Sequence, residues 1–136
     1  MSFGLTEIKE ALDNGNIDAV LSDYIYTDVA TGLPVTMKAK FNALIIPSSL
    51  SAQASTINYY PGVYDGGLEY GQMVWTVNCR AGTYAQSRTI AETVFAELNR
   101  ANDNNWYCVC NMLETVKPQD ETDNYNTVVE VTLKFR

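Results

Sequence analysis

The run Met73–Val74–Trp75–Thr76–Val77–Asn78–Cys79–Arg80–Ala81–Gly82–Thr83–Tyr84–Ala85–Gln86–Ser87 decides the reading of this chain. Met73, Trp75, Val77 and Cys79 alternate with Val74, Thr76, Asn78 and Arg80, which is the period of a strand with one marked apolar face. Thr83 and Gln86 then stand at the spacing of a capping box, where a hydroxyl and an amide satisfy free amides of a first helical turn. The spacing predicts a helix from about Tyr84 to Asn99. Ser87, Ala91, Val94 and Leu98 form its inner stripe, Ile90 and Phe95 flank it, and Arg88, Glu92 and Glu97 stay solvated. A strand, a tight polar corner and a helix that packs back on the sheet follow one another.

Upstream, Ile8, Ala11 and Leu12 predict a short helix over Thr6–Leu12, and Asn14–Gly15 is a pair able to take the left-handed stop conformation. From Ile17 to Tyr24 the helical spacing continues, while Tyr24–Ile25–Tyr26 equally begins a strand, and both readings stand. Met37, Ala39, Phe41, Ala43 and Ile45 alternate with Lys38, Lys40 and Asn42, which predicts one half-buried strand from Val35 to Ile46, ended by Pro47. Residues 48–72 show no sustained period and carry Ser48, Ser49, Ser51, Tyr59–Tyr60 and Pro61. They read as a long loop, and loops beyond about 12–15 residues are uncommon in compact domains unless they are functional or disordered. Its tyrosines argue against plain disorder, since each offers contact area at low entropic cost.

Downstream, Trp106, Cys108, Cys110 and Met112 face one side of a strand and Tyr107, Val109 and Leu113 the other, with both sides expected to be partly buried. A polar turn from Lys117 to Asn124 joins it, as a hairpin, to the clearest strand in the chain. In that strand Tyr125, Thr127, Val129, Val131, Leu133 and Phe135 alternate with Asn126, Glu130, Thr132 and Lys134. The order predicts an α+β class: a single domain over residues 1–136, with a mostly antiparallel or mixed sheet of about four strands covered by two helices.

Composition agrees with one self-supporting core. The chain has 136 residues, 46% of them hydrophobic and 18% charged, and a chain of this length buries roughly two-thirds of its unfolded surface. Its formal net charge of −7 repels a phosphate backbone, and the basic residues are scattered, so no specific nucleic-acid binding is expected. No apolar run reaches the length of a membrane span, so no membrane partner is expected. The start, Met1 to Lys9, has neither the charged opening nor the apolar core of a secretory signal. Three cysteines suit a reducing compartment better than a disulfide framework.

The search for chemistry is short. The chain contains no histidine, which removes imidazole-based triads and histidine-ligated zinc. Cys79, Cys108 and Cys110 fall on inner strand faces, so three sulfurs can converge. Three thiolates make an incomplete zinc site, however, and buried packing is the expected role. Asp65–Gly66–Gly67 lacks the spacing and the terminal Lys-Ser/Thr of a phosphate loop and reads as a turn. Asp120 and Glu121 serve glycoside hydrolysis only with a partner across a cleft, and on a polar turn they read as solvating groups. No catalytic residue, cofactor or metal is expected. Tyr59, Tyr60, Tyr64 and Tyr70, with Asp65, fit a protein contact surface better than a sugar or a base, because the loop carries no Lys or Arg.

The segment Gly62–Val63–Tyr64–Asp65–Gly66–Gly67, the strand ending at Arg80–Ala81, the Thr83–Tyr84 corner and the alanine-containing helix after Ser87 together resemble the tail terminator proteins of long-tailed bacteriophages, often labelled minor capsid proteins. The likeness runs best from Tyr60 to Asn99. It implies a small α+β structural protein without an active site, found in the virion tail and assembled in the host cytoplasm. Such a protein closes into a ring, usually a hexamer, on the head-proximal end of the tail tube. It ends tube growth and offers the head connector or completion protein a joining surface. Other neck or head-completion proteins and tail tube subunits use similar scaffolds, and a small ligand-binding or enzymatic α+β domain is the reading from a different class.

Overall fold

The computed structural model describes residues 4–43, 47, 49–51, 53–65, 71–117 and 124–135, with side chains outside the description at 63–65. The elements in chain order are α1 (Leu5–Leu12), α2 (Gly15–Asp18), β1 (Asp23–Thr27), β2 (Pro34–Lys38), β3 (Lys40–Phe41), β4 (Thr56–Asp65), β5 (Gln72–Ala81), α3 (Tyr84–Leu98), β6 (Trp106–Val116) and β7 (Tyr125–Phe135). The fold is α+β. β1 and β2 form a separate two-stranded ribbon, and the main sheet has the order β3-β4-β5-β7-β6. Its pairs are antiparallel except β3 with β4, which run parallel.

The predicted centre is present. β5 buries Met73, Trp75, Val77, Cys79 and Ala81 on one face, and β7 places Thr127, Val129, Val131 and Leu133 beside them. α3 lies across that face with Ser87, Ile90, Ala91, Val94 and Leu98 buried. Thr83 Oγ1 accepts the Gln86 amide at 3.2 Å, so one half of the capping box forms. The other half differs: Gln86 Oε1 accepts from the Thr83 hydroxyl at 3.1 Å instead of its side chain capping the Thr83 amide.

α1 and α2 complete the cover. Lys40 reaches from β3 to donate to Leu12 O and Asp18 Oδ1, each at 2.9 Å, which satisfies an end carbonyl of α1 and pairs the charge. Gly4, at φ +79°, passes so close to the sheet that a Cβ there would lie 2.6 Å from Leu133 Cδ2 and 3.2 Å from Trp75 Nε1. The close approach requires a residue without a side chain.

Several expectations are corrected. Among the described residues the main sheet has five strands, where about four were expected, with an additional two-stranded ribbon, and there are three helices where two were expected. The pair Asn14–Gly15 does not stop α1 by a left-handed residue; Asn14 is extended and its side chain accepts the Asn16 amide, opening α2. The strand expected over Val35–Ile46 is two, β2 and β3, which belong to different sheets. Ala39 makes the transfer: its amide donates to Ser22 O at 2.9 Å, and its carbonyl accepts from the Ile57 amide at 3.0 Å and from Thr56 Oγ1 at 2.8 Å. Continuous alternation hides such a change of partner.

The long loop expected at 48–72 contains β4. Thr56, Ile57, Asn58 and Tyr59 are all buried, so no two-residue period is visible there. The polar members are tied to backbone, Thr56 to Ala39 O and Asn58 Nδ2 to Ala43 O at 3.0 Å. Further along, the register shifts between Pro61 and Tyr64, where Pro61 has no amide to give the ladder. A Cβ at Gly62 would stand 3.0 Å from Val74 O. This bulge removes the alternation that would have announced the strand.

The two faces of β6 are also unequal. Trp106 and Cys108 are buried, whereas Val109, Leu113 and Val116 are exposed. β6 is an edge strand, and α3 covers only its inner side.

Candidate assembly surface

Neighbouring residues of a strand point to opposite faces, and this separates the tyrosines that the sequence groups together. Tyr59 is 5% exposed, with its ring 6.2 Å from that of Trp75, and burial raises its phenol above the ordinary range. It belongs to the core, which corrects its place among contact residues. One edge of the ring lines a cavity of about 400 Å³ with Thr6, Lys9, Glu10, Asp13 and Lys40. The cations and anions there alternate, and Lys40 is already engaged by Leu12 and Asp18.

Tyr60 projects to the opposite, helix-free face of the sheet and is half-buried. Its hydroxyl oxygen accepts from Asn78 Nδ2 at 3.2 Å, and Asn78 Oδ1 accepts from Asn126 Nδ2 at 3.1 Å. This polar rung ties β4, β5 and β7 together. The same face carries Val74, Thr76, Val128, Glu130, Thr132 and Lys134, all half-exposed, with Lys134 Nζ 6.0 Å from the Tyr107 ring centre. It is a mixed aliphatic and polar surface of the kind that forms non-obligate contacts.

Tyr64 and Asp65 lie at the far end of β4, opposite Met73 and Gln72. Gly66–Gly67 and Tyr70 lie outside the described residues, as do Asp120 and Glu121. Of the five candidate contact residues, the structure therefore puts Tyr60 on the outer face and Tyr59 in the core.

The cysteines do not converge. Cys79 pairs in register with Thr127, while Cys108 pairs with Leu133 six residues along β7, a separation of roughly 20 Å at strand rise. Cys108 and Cys110 are neighbours on one face, and burial pushes both thiols up to about 12. The thiols are protonated at neutral pH and are poor nucleophiles and poor metal ligands in that state. Among the described residues no group of three His, Cys, Asp or Glu side chains is arranged to hold a metal.

Two exposed apolar surfaces were not singled out from the sequence. One is the β1–β2 ribbon with its turn, where Val29 is 99% exposed and Ile25 and Leu33 each 63%. The other is the outer side of β6, where Val116 is 59% exposed. The signal for the first is the turn itself: Asp28 accepts from Thr31 Oγ1 at 3.0 Å, and Gly32 takes φ +70°. A short connection that contains Gly32 and an Asp28-centred turn, between Tyr24–Ile25–Tyr26 and Val35–Thr36–Met37, is the local trace that the ribbon leaves in the sequence.

The helix-covered sheet has a counterpart among solved structures. A chain in the virion of a native gene transfer agent particle superposes with a TM-score of 0.57 at 13% identity, covering 98% of this chain and 98% of that chain. The two chains share a fold. The alignment spans nearly the whole of both chains. No family model and no curated protein matches the sequence.

Proposed function

We propose that this chain is a structural virion protein that caps a phage tail tube as a ring, ending tube growth and presenting the head-joining surface. The observation that carries the reading is the end-to-end agreement of fold with a chain of a gene transfer agent virion, 98% of both chains at a TM-score of 0.57. The resemblance of Tyr60–Asn99 to tail terminator proteins supplies the finer role. Its partners are then further copies of itself, a hexamer in the virion, together with the tail tube protein and the head connector or completion protein. Its location is the tail, and it acts without catalysis.

Three features support an assembly role. The chain has no histidine, its thiols are held protonated by burial, and it keeps a broad half-exposed sheet face around Tyr60. A net charge of −7 suits a ring through which DNA passes without being gripped. The outer sheet face with Tyr60, and the end of β4 with Tyr64, Asp65 and Tyr70 following, contact the tube or a neighbour.

Gold-labelled antibody on assembled particles tests the placement. Label at the junction of head and tail is the expected result. Label along the whole tube overturns the reading in favour of a tube subunit, and absence from the particles overturns it altogether.

A further inference from the structure

We propose that Asn14–Gly15 is a self-modification site, at which the Asn14 side-chain amide is lost to a carboxylate at a rate set by its hydrogen bond to Glu97. The inference is independent of the ring reading and concerns the corner between α1 and α2.

Asn is followed by Gly once in the sequence, at this corner. The chemistry open to the pair needs only water. The Gly15 amide nitrogen attacks Asn14 Cγ and a new C–N bond forms, while the side-chain nitrogen leaves as ammonia, carrying the proton that the Gly15 amide gives up. Water then opens the cyclic imide at either carbonyl and leaves aspartate or isoaspartate at position 14. Glycine permits the attack because it sets no Cβ beside the nucleophilic nitrogen.

The fold makes no use of that glycine. A Cβ at Gly15 would meet nothing within 4 Å, and the residue is helical, where alanine is preferred to glycine. Gly4 and Gly32, by contrast, each hold a positive φ.

The fold instead keeps the reacting groups apart. Asn14 is extended, at φ −140° and ψ 129°. Its Oδ1 accepts the Asn16 amide at 2.8 Å and its Nδ2 donates to Glu97 Oε2 at 2.8 Å. Its backbone amide donates to Leu12 O and its carbonyl accepts the Asp18 amide, each at 3.0 Å. Ring closure swings the Gly15 nitrogen towards the side-chain carbon by rotation about ψ, which breaks the Asp18 bond and opens α2. A helix of four residues does not persist by itself. Glu97, which also accepts from Asn16 Nδ2 at 2.7 Å, therefore controls how often the corner opens.

The modification runs one way. Aspartate at position 14 turns a carboxylate, which can only accept, towards the Glu97 carboxylate, so a hydrogen bond becomes a like-charge contact. Isoaspartate lengthens the backbone at the cap. Either product loosens α2 from α3, and with it Asp18, which pairs with Lys40 at 2.9 Å.

The test incubates the full chain at pH 8, in native buffer and in denaturant, and follows residue 14 by peptide mapping and isoelectric focusing. In denaturant Asn14 is expected to convert faster than any other asparagine of the chain. In native buffer the conversion should be at least about tenfold slower, and Glu97→Ala should speed it about tenfold, because loss of the clamp raises the open fraction. Unchanged amide exchange in β5 and β7 reports that the rest of that variant is intact. Asn16→Ala, at an exposed position, removes one of the clamp bonds and should speed conversion by less. Gly15→Ala should keep the melting temperature and remove the fast conversion. Asn14→Asp, which reproduces one product, should raise amide exchange in Gly15–Asp18 above the wild type. Native conversion as fast as in denaturant, equal rates in the wild type and both clamp variants, fast conversion in Gly15→Ala, or full protection of α2 in Asn14→Asp overturns the proposal.

Discussion

Ser87 Oγ lies 2.8 Å from Thr127 Oγ1, joining the first buried turn of α3 to the interior strand β7. Ser87 also donates to Cys79 O at 2.8 Å. With that hydrogen committed, Thr127 donates to Ser87 and Thr115 donates to Thr127 at 2.7 Å, so one directed chain links β5, α3, β7 and β6. Ser87 on the inner stripe is thus a polar core residue whose donor and acceptor capacities are both used.

Removing one member leaves the others buried and short of a partner. Ser87→Ala is expected to lower unfolding free energy by about 1–3 kcal/mol. Thr127→Val is expected to cost a similar amount, and the double variant less than the sum of the two. Urea denaturation of the four proteins checks this. Additive losses would mean that the hydroxyls act independently.

Glu97 fixes the short helix α2 to α3. Its two carboxylate oxygens accept from Asn14 Nδ2 at 2.8 Å and Asn16 Nδ2 at 2.7 Å. Hydrogen bonds to a charged group are worth about 1.5–3 kcal/mol when shielded and less at a wet surface. Glu97→Ala should therefore cost about 1–2 kcal/mol and increase amide exchange in Gly15–Asp18 before other helices respond. Hydrogen-exchange mass spectrometry reads the local effect. Uniform loss of protection across the domain would contradict the clamp.

The thiols give the pH prediction. In the unfolded chain a cysteine ionises near its ordinary 9.0, and in the fold Cys108 and Cys110 are pushed up to about 12 by burial, with the two thiols also opposing each other's ionisation at Cys110. A raised pKa on an acid means that the fold favours the protonated form. The stabilisation is complete below pH 9 and is lost as pH rises from 9 towards 12. Unfolding midpoints should be insensitive to these groups at pH 7–8 and fall above 9, less so in Cys108→Ala with Cys110→Ala measured against its own neutral-pH value. Alkylation by iodoacetamide at pH 8 should be slow in the folded chain and fast in denaturant. Rapid labelling of the native protein would contradict the burial.

What could be read from the sequence was whatever repeats locally. β5, α3 and β7 each have a single inner face, so periods of two and of 3.6 residues showed them, and Thr83 marked the corner. β4 was hidden because Thr56–Tyr59 are buried on both sides and the Pro61–Gly62 bulge breaks the register. The break at Ala39 was hidden because a strand keeps its alternation when it changes sheets. Adjacent Tyr59 and Tyr60 read as one patch in the sequence for the same reason that β4 reads as a loop. Once the strand exists, its pleat sends them to opposite faces. The ribbon and the β6 edge lay beyond local reading, since exposure depends on what the rest of the chain leaves uncovered.

The central claim is that this protein stops the growth of a tail tube and joins it to a head. It is tested most directly by measuring tail lengths, by electron microscopy, in particles made without it. The account predicts tails that overrun the normal length and stay unattached to heads, with normal length and attachment restored when the wild-type chain is supplied. Tails of normal length that join heads in its absence would contradict it.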